Sequence, residues 1–594
     1  MGEERLVADL VVERLLAWGV HRVFGYSGDG INGLMGALRR AGGDPSFVQA
    51  RHEENAALMA VGHAKYTGEV GVVVSTQGPG AVHLLNGLYD AKLDHHPLVA
   101  IVGQQPTTAL GAEYQQEIDL TGLFKDVAAQ YVQAVLAPEQ AAMVLDRAFR
   151  TALATRSPCV VVLPHDVQVA PAPVVPPHEH GVVPTAPQWR PPRVLPTDDD
   201  LAEAAAVLNA GERVALLVGQ GARDAGDLVA EVAERLGAGV STSLLGKPHW
   251  DESLPYSCGV MGHLGTTASG WLYDQCDTLL IVGSNDPWTE FYPAPGQARA
   301  VQIDIDGRHL GNRYPVEVGL VGDTAETLRA LLPLLEERRD TTWRRQVEAE
   351  VERWHTLAQE RAEQAADPLS PELVVRALSA HLPGDALVSV DVGSVVYWYA
   401  RHLRLPPGVP AHLSSTLASM GSGLPYGLAA KLAAPDRPLV ALVGDGAMQM
   451  NGIAELVTVA HRWRDWADPR FVVLVLHNGD LAEVTWEQRE TEGDPRYDAS
   501  QTLPAFPYAQ YAELLGLTGI LLDRPEDVDA AWERALAADR PVVIEALVDR
   551  DVPLLPPFPG GREKLDSFRR GLDQEEDSGH ARALLEEQAA QEER

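Results

Sequence analysis

Three doubly wound α/β domains, each built on a parallel sheet, are the architecture that this 594-residue sequence predicts. Short apolar runs ending in Gly, Pro or polar residues alternate with stretches of helical spacing along most of the chain. The runs are continuously apolar, which is the pattern of strands covered by helices on both faces. One proline-rich stretch and one highly charged helical stretch divide the pattern into three, in line with roughly three or four domains for this length.

The first domain is placed at 1–180. Leu6, Leu10, Val11 and Leu15 recur at helical spacing, and HRVFGY, GVVVSTQGPG, PLVAIVGQ and SPCVVVLP follow as strands. Residues 171–198 contain APAPVVPP and PTAPQWRPPRVLPT and read as a linker. The second domain is placed at 190–338, with strands in RVALLVG, TLLIVGS and AVQIDID. Residues 336–366, with Trp343 and Trp354, read as a connecting helix. The third domain is placed at 365–552, with strands in ALVSVDVG, PLVALVGDG, RFVVLVLHN and PVVIEALV. An acidic tail at 553–594 opens with prolines and ends in EEQAAQEER, a composition that predicts partial mobility. The first and third domains share their βα alternation without a close sequence repeat.

The composition excludes some functions. Apolar residues make up 45% and charged residues 22% of the chain, as in ordinary globular proteins. With 83 acidic against 48 basic residues the net charge is -35, which argues against general nucleic-acid binding and leaves locally basic sites open. Cys159, Cys258 and Cys276 have neither metal-ligand spacing nor a disulfide framework, and read as buried small hydrophobes in a reducing compartment. The segment MGEERLVADLVVERLLAWGV carries acids at helical spacing and is not a signal peptide. No apolar run approaches a membrane span, and the acidic tail does not suit anionic lipid. A cytoplasmic protein that does not bind membranes is expected.

Residues 437–484 hold the most informative pattern. An apolar strand runs into Gly444, Asp445 and Gly446, a helix follows, and a second apolar strand ends in His477 and Asn478. An Asp and an Asn at the ends of two strands can share one hard divalent cation, and phosphate oxygens can complete its shell. The flanking glycines permit a tight turn and close approach of a diphosphate. This layout resembles the metal–diphosphate motif of thiamine diphosphate (ThDP) enzymes. The resemblance implies Mg²⁺ held by Asp445, Asn478 and the backbone carbonyl of Asp480. The family motif ends in paired asparagines, so His477 departs from it while the ligand position is kept.

The resemblance covers residues 1 to about 555. ThDP needs a carboxylic acid at its aminopyrimidine, in an apolar pocket where the proton is held tightly. RHEENAA at 51–57 resembles the family's glutamate motif, with Glu53 on the catalytic position and Glu54 as its neighbour and competitor. QGPGAVHLLNGLYDAKLDHHPLVAIVGQ resembles the segment that follows, with Gly78 and Pro79 in a turn at a strand end. Asn86 and Asp90 read as structural or interface residues, and Asn86 is also carried among the cofactor contacts. Gly28, in the SGDGING turn, joins that set; the turn is no dinucleotide fingerprint, because the acid expected further on falls in the RHEE segment. Gln116 or its neighbour Gln115 resembles the glutamine that approaches substrate. Met420, in SMGSGLPYGLAA, occupies the position that bends ThDP, and Gly393 and Ser394 supply further cofactor contacts.

VGQGARDAG, VGSNDPWTEF and QIDIDGRHLG occur in the order seen in pyruvate oxidases and acetolactate synthases, whose central domain binds FAD. The corresponding contacts would come from Gly219, Gly221, Asn285, Asp304 and Asp306. Glu487 resembles a catalytic glutamate of pyruvate oxidases, whereas Glu483 stands where those enzymes carry an aromatic residue near the flavin.

The domains are accordingly a pyrimidine-binding, a central and a diphosphate-binding domain. The resemblance implies ThDP- and Mg²⁺-dependent decarboxylation of pyruvate or a similar 2-oxo acid with electron transfer to FAD. Glu53, Gln116 and Glu487 are the catalytic candidates. A homodimer or homotetramer with shared active sites is implied. An acetolactate synthase-type carboligase with structural or absent FAD is the second reading, and a non-catalytic protein on the same fold the third.

Overall fold

The computed structural model describes residues 5–173 and 180–594, so residues 174–179 of the expected linker lie outside the described residues. The chain divides into two compact units. One comprises Met1–Pro191, His412–Ala441 and Ala447–Pro469, the other Pro192–Ala411, Leu442–Gly446 and Arg470–Arg594.

The first sheet contains β1 (Arg22–Gly25), β2 (Ser46–Gln49), β3 (Gly71–Ser75), β4 (Leu98–Gln104), β5 (Val132–Ala134) and β6 (Pro158–Pro164), in the order β2-β1-β3-β4-β6-β5. Its pairs are parallel, with Leu98 opposite Pro158 and Val74 opposite Ile101. Every residue of β3, β4 and β6 is buried, which is why their sequences are apolar without alternation. Burial of each Val, Leu or Ile there contributes about 1.5–3 kcal/mol. Helix Ala141–Thr155 lays Val144, Leu145, Ala148, Phe149 and Ala152 on this core and ends at Arg156 in the left-handed region.

The central sheet contains β7 (Val214–Val218), β8 (Gly239–Thr242), β9 (Ser257–Val260), β10 (Thr278–Val282), β11 (Arg299–Asp304) and β12 (Val318–Val321). Its order, β12-β11-β10-β7-β8-β9, is that of dinucleotide-binding doubly wound folds, with the switch point between β7 and β10. Helix Asp198–Ala210 starts from a capping box made by Thr197 and Asp200. The charged segment after this sheet forms the helix Thr342–Ala362, which buries Trp343 and Trp354.

The third sheet contains β13 (Leu387–Val390), β14 (Ala411–His412), β15 (Leu439–Gly444), β16 (Phe471–His477), β17 (Thr518–Leu522) and β18 (Val542–Leu547), ordered β14-β13-β15-β16-β18-β17. This repeats the topology of the first sheet strand for strand. The three sheets with flanking helices are the three α/β layers that the sequence predicts.

The tail differs from its predicted mobility. Helices Gly560–Asp573 and Gly579–Glu593 bury Phe568, Leu572, Leu584 and Leu585. The last turn is anchored by a buried ion pair, Arg361 Nη2 to Glu592 Oε1 at 2.7 Å, and Glu592 Oε2 accepts from Phe558 N at 2.8 Å. Apart from Glu592, the acids that make the tail look mobile lie toward the outer faces of these helices, and the apolar residues between them decide the packing. Glu592→Ala would leave Arg361 buried without its carboxylate, a loss of about 3–5 kcal/mol. The expected outcome is a clear fall in the thermal midpoint, measured by calorimetry, whereas Glu593→Ala should leave it unchanged.

Candidate active site

In the first unit, Glu53 opens the helix Glu53–Thr67 just after β2. His52 caps that helix, its Nδ1 accepting from Glu54 N at 3.3 Å. The Glu53 side chain is 13% exposed, and its Oε2 lies 3.0 Å from His83 Nδ1. The His52 and His83 rings lie 4.3 Å apart. Gly80 closes over the same carboxylate: a Cβ there would lie 3.3 Å from Glu53 Oε1 and only 2.6 Å from Ser75 Oγ. Glu54 is used differently. Its Oε1 accepts from Asn86 Nδ2 at 2.7 Å and Asn451 Nδ2 at 3.4 Å, and Asn86 also donates to Ser419 Oγ at 2.6 Å. Glu54 therefore ties loops together, while Glu53 keeps one oxygen uncommitted.

Met420, next to Ser419, is half-buried in this unit. Its loop is fixed by a buried network: Lys65 Nζ donates to Asp94 Oδ2 and to Leu413 O, both at 2.6 Å, and Ser414 Oγ donates to Asp90 Oδ1 at 2.7 Å. Asp90 is pushed up to about 6 by burial, against the pull of Lys65. Gly78, at positive φ, starts the helix Pro79–His83 and packs on Gln116. Gln116 Oε1 accepts from Gln77 Nε2 at 3.3 Å, whereas Gln115 meets Gln105 only through its backbone carbonyl. Gly28 packs on Thr76, whose hydroxyl accepts from Gly30 N at 3.1 Å. Gly28, Gly78 and Gln116 thus gather at the end of β3, near Glu53 and Gly80.

In the second unit, Asp445 follows β15 and is buried. Its Oδ2 accepts from Asn478 N at 3.1 Å and Gly479 N at 2.7 Å, and its Oδ1 from Gly446 N at 2.9 Å. Burial pushes its carboxyl up to about 6 despite those amides. Asn478 Oδ1 accepts from Asp480 N at 2.9 Å. The Asp480 carboxylate is itself engaged, by Thr485 Oγ1 at 2.7 Å and Arg496 Nη2 at 2.8 Å, which leaves its backbone as the part to offer a cation. Gly393, at φ +125°, precedes the helix Ser394–His402, and a Cβ on Gly393 or Gly444 would meet nothing within 4 Å. Ser394 and Asn478 line a common cavity. An acid, an amide and two open glycines at strand ends suit a cation-bridged diphosphate.

His477, which replaces the first asparagine of the motif, is built into the support of Asp445. Its Nδ1 lies 2.9 Å from Glu545 Oε1, and its ring stands edge-on to Tyr508 at 5.2 Å. The Tyr508 hydroxyl donates to the Asp445 carbonyl at 3.1 Å. Glu545 raises the His477 pKa by hydrogen bonding. The sequence pattern singles out His477 only as a departure from the motif, and does not single out Glu545, Tyr508 or His83. An acid in the middle of the apolar run PVVIEALV was the available signal for Glu545.

Glu483 and Glu487 sit on the helix Ala482–Thr491, one turn apart. Glu483 is pushed up to about 8 by burial and then by Glu487. Glu487, at the solvent edge, is raised by partial burial and then by Glu490. In the central sheet, Gly219 and Gly221 donate from N to Val282 O and Gly283 O, both at 2.9 Å, and a Cβ on Gly219 would lie 2.2 Å from Gly283 O. Close backbone packing at the switch point explains both glycines without a ligand. Asn285 Oδ1 accepts from Arg313 Nε at 3.0 Å. Asp304, buried at the end of β11, accepts from Asp306 N at 2.8 Å, and burial raises its pKa. Asp306 is drawn down to about 2 by its hydrogen bonds from Arg308.

A carboxylate held at a helix start in one sheet system and a cation-type donor set at the strand ends of another define an α/β enzyme for a diphosphate cofactor. The comparisons with known proteins agree. The N-terminal TPP binding domain of thiamine pyrophosphate enzymes matches residues 5–123, the central domain 201–331 and the C-terminal TPP binding domain 391–546. Protein YdaP of Bacillus subtilis is 34% identical over 553 residues, covering 93% of this chain and 92% of its own. Pyruvate oxidase of Lactiplantibacillus plantarum is 30% identical, covering 95% and 91%, and the acetolactate synthase isozyme 2 large subunit of Escherichia coli is 31% identical, covering 94% and 99%. The chain belongs to the thiamine pyrophosphate enzyme family, in the group that contains pyruvate oxidase and acetolactate synthase. Among the described residues no helix is long and apolar enough to cross a membrane.

Three outcomes are expected from the carboxylates. Glu53→Gln should lower kcat by about 10²–10⁴-fold, the worth of a positioned acid–base group. Glu54→Gln should keep most of the turnover and lower the thermal midpoint instead; steady-state kinetics beside calorimetry separates the two. Glu483 has a folded pKa above its unfolded value, so the folded chain retains a proton that the unfolded chain releases. Stability therefore falls as pH rises from about 4.5 to about 8. Glu483→Gln should remove that slope, measured as the denaturation midpoint between pH 5 and 9.

Proposed function

We propose that this enzyme decarboxylates pyruvate or a similar small 2-oxo acid, using ThDP and Mg²⁺, and passes the electrons to FAD. The observation that carries the cofactor part is the Asp445–Asn478 donor set beside the open positions at Gly393 and Gly444. Asp445, Asn478 and the Asp480 carbonyl would hold the cation. Gly393, Ser394, Gly444 and Gly446 would accommodate the diphosphate. Gly28, Gly78, Pro79, Asn86 and Met420 would surround the organic part. When bound, ThDP supplies an electron sink next to the substrate carbonyl.

The residues of the chain manage protons and solvent. The Glu53 carboxyl would exchange a proton with the aminopyrimidine, and His83 Nδ1, 3.0 Å from Oε2, orients that carboxyl. Gln116 and Glu487 would act on the substrate side. The carboxyl of Glu483, held near a pKa of 8, is a neutral donor at physiological pH. The minimum assembly we propose is a homodimer, or a homotetramer, in which Glu53 of one chain serves cofactor held by Asp445 of another.

FAD binding is supported by the strand order of the central sheet and by the buried Asp304 at the carboxyl end of β11, on the sheet edge where such folds bind their ligands. Gly219, Gly221, Asn285 and Asp306 would complete that site. A second reading, carboligation of the acetolactate synthase type with structural or absent FAD, is favoured by Glu483. A polar carboxyl at that point is a poor replacement for the aromatic residue expected beside a working flavin.

An absorption spectrum of the purified protein, before and after anaerobic pyruvate with ThDP and Mg²⁺, decides between them. A flavin band that bleaches is the expected result. A flavin band that persists, with acetolactate or acetoin as product, supports the carboligase. A spectrum without flavin removes the oxidase.

A further inference from the structure

A narrow cavity in the second unit lies away from the residues assigned to cofactor and substrate. Its lining includes Lys247, His355, Arg376, Arg401, His402 and Arg404. These basic groups come from the loop after β8, the helix Thr342–Ala362, the helix Pro371–His381 and the end of the helix Ser394–His402, with the exposed Arg404 two residues beyond it. In a chain of net charge -35, such a concentration of one sign is unexpected.

The local acids do not account for it. Glu252 is taken by Lys247, at 2.6 and 2.7 Å from Nζ, and Glu372 faces His402 Nε2 at 3.3 Å. Arg401 is spent on three backbone carbonyls, those of Gly265, His263 and Leu555, at 2.8–3.0 Å. That leaves Arg376, Arg404 and His355. Among the described residues, no carboxylate lies within 4.0 Å of either guanidinium as an ion pair, and Glu363, the acid nearest in effect to Arg376, accepts instead from Gln359 at 2.9 Å. Burial lowers the affinity of His355 for a proton, and Arg404 and Arg376 each add to this, which leaves a neutral imidazole able to donate one N–H. Two guanidiniums and an imidazole donor, mutually repelling until something negative enters, match the fork geometry that recognises phosphate-type oxygens.

Size narrows the ligand. The cavity measures about 30 Å³ on the scale where a single water needs roughly 10–15 Å³, so it takes one small oxyanion and no nucleoside. We propose that Arg376, Arg404 and His355 form a binding site for a phosphate-sized oxyanion, either free inorganic phosphate or the terminal phosphate of a larger molecule whose remainder stays outside. The site is independent of the reaction assigned above. The helix that ends at Arg401 and His402 begins at Gly393 and Ser394, so an anion here would sit at the far end of an element that also reaches the proposed diphosphate site.

The test uses the whole protein saturated with ThDP and Mg²⁺, without 2-oxo acid, so that the diphosphate site is already filled. Inorganic phosphate is titrated calorimetrically at constant ionic strength, against chloride as control. Saturable binding of one phosphate per chain is expected, weakened at least tenfold in the double variant Arg376→Ala/Arg404→Ala. Tighter binding of AMP than of phosphate, lost in the same variant, would assign the site to a terminal phosphate, and weaker binding of AMP to the free anion. Without phosphate the double variant should melt no lower than the parent, because it loses only mutual repulsion. Absence of binding above the chloride control, equal binding by parent and variant, or a variant that melts lower without phosphate would each overturn the proposal.

Discussion

A carboxylate taken out of water needs compensation, and at Asp445 the compensation shapes everything around it. Three backbone amides supply it, from Gly446, Asn478 and Gly479, so the loops after β15 and β16 must both turn inward at one point. Those amides are not enough to restore an ordinary acidity, and the group stays near 6. A divalent cation beside it would add to that compensation and favour the ionised carboxylate. The second layer serves the same end: Glu545 fixes His477, His477 packs on Tyr508, and Tyr508 holds the Asp445 carbonyl. The histidine that stands at the first asparagine position of the motif thus braces the loop through Glu545 and Tyr508.

The neighbouring glutamates of the first unit show how burial and partners separate two residues of identical chemistry. Glu54 finds two amide donors and becomes a tie between loops. Glu53 finds one imidazole and a glycine that cannot crowd it. Sequence places both at a helix start, where either acid suits the helix dipole. Their partners come from residues 83, 86 and 451, and long-range contacts of that kind leave no periodicity to read.

The same distinction runs through the whole chain. Strands such as β4 and β16 are legible because complete burial demands continuous apolar residues. The turn glycines and the Asp–Asn pair are legible because few residue types can do their work. Strand order is not, since it depends on which neighbour each strand finds; the dinucleotide-type order of the central sheet is visible only in the fold. The tail misleads because acidic composition reports the outer helix faces, while Leu584, Leu585 and the Arg361–Glu592 pair set its behaviour. The Gly219–Gly221 pair is ambiguous in the sequence, since close backbone packing by itself calls for glycine there.

The first and third sheets share one strand order and do different chemistry with it. In the third sheet, the residues just past the third and fourth strands are Asp445 and Asn478, the pair proposed to hold a cation. In the first, the residues just past the corresponding strands are Thr76 and Gln105, whose side chains are spent on neighbouring loops through Gln77 and Gln115. The carboxylate of that sheet sits after its second strand instead, at Glu53. Parallel strands end on the same edge, so each sheet offers the same set of positions, and the side chains placed there decide whether the edge holds a charge-bearing cation or a proton. A duplicated frame can therefore supply both halves of a cofactor site without any duplicated residues, which is why the sequence shows the alternation of the two domains and no repeat.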